Sequence, residues 1–184
     1  MSAHLPPTRA RRAIAVAMAA SFALIGVAIG ACLSPPADTR IGVAVPDRAQ
    51  FAPVAGYLDH RCGSLDCHGS ARRNLVIFGC EGLRLGDADV PGCRRMGGTD
   101  STEEEIDATF RSVVGLEPAV MTAVVNGKGE HPELLTLVRK ARGQESHKGG
   151  ALVVAGDSQD LCLASWLAGA TDVDACTQAA TSTP

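Results

Sequence analysis

The sequence predicts a mainly α fold, and three observations predict it. Apolar residues recur at helical spacing in stretch after stretch from Asp47 to Gly169. Capping and breaker residues stand at the ends of these stretches. The one run that reads as a strand, Leu75-Val76-Ile77-Phe78, is very short and lies in a glycine-rich region.

The chain opens with Arg9, Arg11 and Arg12, then an uncharged apolar run from Ala13 to Ala31. This is the order of a secretory signal, although about 20 apolar residues also suffice for an uncleaved membrane anchor. Ile29-Gly30-Ala31-Cys32 resembles the lipobox of bacterial lipoproteins, which favours a signal peptide over 1–31 and lipidation of Cys32. On either reading the body is extracytoplasmic and membrane-anchored. Removing 1–31 takes three of the 17 Lys+Arg and none of the 20 Asp+Glu, so the remainder is more acidic than the whole chain at −3. That balance argues against nucleic acid as a partner. Roughly 150 residues are left, enough for one domain.

Residues 32–46, with Pro35, Pro36, Gly42 and Pro46, read as a flexible tether, and 47–176 as the domain. Phe51, Val54, Ala55 and Leu58 place a helix over 47–61 that delivers Cys62 at its end. The stretch 69–98 reads as an irregular loop region clipped by Cys80 and Cys93. Ser101 with Glu104 forms a capping box for a helix over 102–114, and Glu103-Glu104-Glu105 reads as a solvated first turn. A short helix is expected over 117–125. Another is expected from Pro132 to about Arg142, and a last one from Asp157 or Ser158 to near Gly169. The tail 177–184 is expected to be disordered.

The chemistry concentrates at Cys62-Gly63-Ser64-Leu65-Asp66-Cys67-His68-Gly69. Two thiols followed at once by an imidazole suit covalent haem attachment with the histidine on iron. The usual spacing there is C-x-x-C-H, whereas four residues separate these cysteines. Setting Cys32 aside leaves six cysteines, an even number in an exported chain. If Cys62 and Cys67 hold haem, the local pairs are Cys80 with Cys93 and Cys162 with Cys176. Spacing alone leaves other pairings open.

Leu58-Asp59-His60-Arg61-Cys62, Cys67-His68-Gly69, Gly82-Leu83-Arg84-Leu85, Pro132-Glu133-Leu134-Leu135 and Ser165-Trp166-Leu167-Ala168-Gly169-Ala170 occur in that order. In this the chain resembles the secreted single-haem cytochrome c-like domains of planctomycete and myxobacterial proteins, over roughly 47–170. The resemblance implies a small helical cytochrome c-like fold, thioether bonds from Cys62 and Cys67 to haem c, and His68 as an iron ligand. Many relatives place a methionine before the last helix, where this chain has His147. His147 is therefore the candidate sixth ligand, with Met96 and Met121 as competitors. His60, His131 and Trp166 are expected to be structural.

Zinc held by Cys62, Cys67 and His68 with His147 or Cys80 is the metal alternative, disfavoured because adjacent Cys67 and His68 are awkward ligands for one ion. No G-x-S-x-G elbow and no phosphate-cradling glycine loop is present, so no enzymatic step is expected. The expected function is single-electron transfer with other envelope redox proteins. The alternative is a haem-free lipoprotein interaction module in which Cys62 and Cys67 pair.

Overall fold

A computed structural model describes residues 42–86 and 100–181. Among them are six α-helices: α1 Ala52–Cys62, α2 Glu103–Leu116, α3 Pro118–Asn126, α4 Thr136–Ala141, α5 Ser158–Leu167 and α6 Val173–Thr181. Two short 3-10 helices, Arg48–Gln50 and Pro132–Leu134, precede α1 and α4. The mainly α expectation is met. The signal, Cys32 and most of the tether lie outside the described residues, as do Cys93 and Met96. No single helix among the described residues is long and apolar enough to cross a membrane.

The first expected helix is divided in two. Asp47 accepts a hydrogen bond from the Ala49 amide and starts the 3-10 turn; α1 then begins with Pro53 in its first turn, where a missing N–H costs nothing. The end of the expected tether already belongs to the domain, since Thr122 on α3 accepts from the Ala44 amide and donates to its carbonyl.

The α2 cap sits one residue later than the sequence suggests. Ser101 donates its hydroxyl to Asp59 and is unavailable, so Thr102 is the N-cap and forms a reciprocal box with Glu105. Glu103 and Glu104 are solvated, but Glu105 is completely buried, paired with Arg84 at 2.7 Å and accepting from the Leu85 amide. The acidic run is thus only in part a solvated turn.

No strand forms at 75–78. The Val76 amide donates to Ser112, while Thr109 both accepts from the Phe78 amide and donates to its carbonyl, so α2 side chains take the places of a partner strand. A single bridge links Phe78 to Leu83.

The helix expected from Pro132 to Arg142 breaks at Leu135, which is extended. Glu117, between α2 and α3, accepts from both the amide and the hydroxyl of Thr136 and starts α4 afresh. At α5, Asp157 is the N-cap, as expected.

Residues 177–181 are helical, not disordered. α6 buries Ala175, Cys176 and Ala179 and packs on α1 and α5, and a disulfide joins Cys176 to Cys162. Its apolar face is made of small residues, which leaves little periodic signal. Cys80 is also disulfide-bonded.

The core gathers Phe51, Tyr57 and Leu58 with Ile77, Met121 and Trp166. The Phe51 ring lies 4.9 Å from Trp166 and 5.3 Å from Phe110, and the indole N–H donates to the Asp47 carbonyl. Met121 is therefore a buried core residue. Trp166 has the core role expected of it, whereas His131 is exposed, pairs with Glu133 and makes no side-chain cap to the turn it precedes.

Candidate functional site

Cys62 is the last residue of α1, and the chain then turns tightly back on itself. The Cys67 amide donates to the Ser64 carbonyl, the His68 amide to Cys62 and the Gly69 amide again to Ser64, each at 2.9 Å. From outside, the Arg73 guanidinium donates to the carbonyls of Cys67 and Asp66 at 2.9 and 2.8 Å. Behind the turn the Gly63 carbonyl is wedged between two other glycines: a Cβ on Gly69 or Gly82 would lie 1.8 or 1.9 Å from its oxygen. Only glycine allows this approach. Gly82 opens the Gly82-Leu83-Arg84-Leu85 segment, whose Arg84 and Leu85 are held by Glu105.

Asp59, one turn before Cys62, anchors the next loop by accepting from the Cys80 and Glu81 amides and from Ser101. Burial raises its carboxyl above the usual range against the pull of these hydrogen bonds.

The structure brings His68 and His147 together. Their ring centroids are 5.9 Å apart and their planes differ by 20°. His68 is half-buried, and its Nδ1 lies 3.0 Å from the Leu75 carbonyl; His147 places Nδ1 3.3 Å from the Gly150 carbonyl. A carbonyl only accepts, so Nδ1 is the protonated nitrogen in both rings and Nε2 carries the free lone pair. Burial lowers the His68 pKa, the Leu75 hydrogen bond opposes this, and neighbouring His147 lowers it further. The loop carrying His147 is tied to α4 through Glu145, which pairs with Arg139 and Lys140, and through Lys140 donating to the Ser146 carbonyl.

Both histidines face one cavity of about 400 Å³, within the roughly 300–1,000 Å³ of small-molecule sites. Its apolar wall includes Tyr57, Leu75, Leu137 and Leu152, and its cations are Arg72, Arg73 and Lys140. Among the described residues no carboxylate lines it, although the protein is acidic overall. An apolar ligand with anionic substituents suits such a wall. Tyr57, Arg72, Arg73 and Lys140 escaped the sequence reading; the signal was the basic pair Arg72-Arg73 directly after the motif in an acidic chain.

Cys62 lines this cavity and is partly buried, whereas Cys67 is exposed, and both are free thiols. The disulfide between them that a haem-free reading requires is not formed. Burial pushes the Cys62 thiol up to about 12. His60 pairs with Glu81 near the surface, away from the cavity lining. Among the described residues no group of three or more His, Cys, Asp or Glu side chains could hold a metal ion, which removes the zinc set.

No family model matches the chain, and neither the curated proteins nor the solved structures contain a significant match to it.

Proposed function

We propose that the chain is an extracytoplasmic c-type cytochrome domain, tethered through lipidated Cys32, that carries single electrons between envelope redox proteins by one covalently held haem c. The observation that carries this reading is the pairing of His68 and His147. Their ring centroids lie 5.9 Å apart on one cavity, and these two imidazoles would be the residues that hold the iron. Two protein ligands are also the number a porphyrin leaves open on iron, while a bare zinc ion asks for four.

The residues present fit the group. The cavity is apolar where a macrocycle would lie, and Arg72, Arg73 and Lys140 would meet its two propionates. The iron supplies the one-electron chemistry when bound. The chain's part is to present two Nε2 lone pairs, to keep both rings oriented through backbone carbonyls, and to exclude water with Tyr57 and the leucines. On this reading the protein carries electrons and transforms no substrate.

The full chain produced with cytochrome maturation machinery should be coloured and show a low-spin bis-histidine spectrum. His147→Met should raise the reduction potential, because methionine favours the reduced iron. A colourless product would remove the haem reading, and an unchanged potential and spectrum in the variant would remove His147 from the iron.

A further inference from the structure

We infer that haem is attached through Cys62 alone and that Cys67 keeps its thiol at the surface. The inference rests on the haem reading above and concerns the four-residue spacer, whose consequence the fold makes visible.

The two sulfurs stand in different places. Cys62 ends α1, packs against the core and shares the cavity wall with His68. Cys67 is exposed and is not among the lining residues. Between them the spacer is a closed turn held at both ends. Its inner hydrogen bonds run to Ser64 and Cys62, and Arg73 fixes the carbonyls of Asp66 and Cys67 from the outside. The three-glycine contact at Gly63, Gly69 and Gly82 leaves no slack behind it. Rolling Cys67 inward would break the Arg73 clamp and displace His68, whose own amide is bonded to Cys62. A two-residue spacer has no such turn to place. Whether attachment precedes folding or follows it, the product has to fit this fold.

The chemistry balances with one thiol. The Cys62 S–H adds across one vinyl group: sulfur bonds to the vinyl carbon next to the ring, the thiol proton goes to the outer carbon, and the double bond becomes single. No oxidant or reductant is needed, iron is untouched, and the second vinyl stays unsaturated.

The test uses the full chain made with maturation machinery. The protein is denatured without reductant, treated with iodoacetamide, digested and mapped by mass spectrometry, and its pyridine haemochrome spectrum is recorded. Haem on the Cys62 peptide, alkylated Cys67, and an α-band between those of free haem and a two-thioether haem are expected. Cys67→Ser should keep covalent haem and the same band. Haem on both cysteines or on Cys67 alone would overturn the inference while leaving the haem c reading in place; haem extracted by acidified acetone would overturn the inference and covalent attachment with it, leaving only haem binding. A colourless protein would overturn both, and the visible spectrum tells the two failures apart. Cys62→Ser should leave the haem extractable; if that variant does not fold, the wild-type map still decides.

Discussion

Cys62 and Cys67 belong to one motif yet meet opposite surroundings, and the contrast is measurable before any cofactor is loaded. The Cys62 thiol, pushed up to about 12 by burial, is protonated at pH 8, so iodoacetamide should modify exposed Cys67 about tenfold faster or more in the chain without haem. A raised thiol pKa also sets a sign. Above an unfolded value of about 8.5, the unfolded chain loses this proton while the native chain holds it. The contribution is therefore complete below that pH and is lost as pH rises toward 12. Urea midpoints at pH 8 and pH 10 should fall with rising pH, and fall less in Cys62→Ala. The glycine wedge makes a second claim at this scale. Gly82→Ala forces a methyl group into the Gly63 carbonyl and should cost about 3 kcal/mol or more, read as a lowered urea midpoint. Cys62 and His68 could be singled out from spacing because their chemistry is local. The roles of Gly82 and Arg73 could not, since each acts on residues its neighbours in sequence do not predict.

The helices announced themselves by apolar period, while their ends did not. Three expectations moved because a distant side chain intervened: Asp59 took Ser101 away from the α2 cap, Glu117 restarted α4 at Thr136, and Ser112 with Thr109 absorbed the amides of the expected strand. Such pairings lie beyond any window of local sequence. The most demanding is Arg84 with Glu105, at 13% and 0% side-chain exposure. Replacing Arg84 with Met strands a buried carboxylate and should cost about 3 kcal/mol or more. Arg48→Met, which cuts more exposed links to Glu103 and Asp107 on the same helix, should cost about 1 kcal/mol or less. Chemical denaturation of the two variants in parallel separates these cases. If they lose equal stability, burial is not what makes the Arg84 pair matter.

At the scale of the molecule, the site is assembled from two remote pieces, the turn after α1 and the loop before α5. The packing of α1 against α5 and α6 holds the first against the core, and the ties from Glu145 and Lys140 hold the second. The order of motifs along the chain hinted at this meeting, but the tie from Glu117 to Thr136 that starts α4 is not legible in the local sequence. The disulfide between Cys162 and Cys176 closes a 14-residue separation, and its removal in a Cys162→Ala, Cys176→Ala double variant should cost about 3 kcal/mol, seen as a lower melting temperature with α6 loosened first. Trp166 is the only tryptophan in the chain, lies wholly inside the core beside Phe51 and Phe110, and shares α5 with Cys162. The protein thereby carries its own optical reporter: unfolding should shift the indole emission to the red, and a coloured group seated in the same small domain should dim it through energy transfer, so that one fluorophore follows both folding and loading without a label.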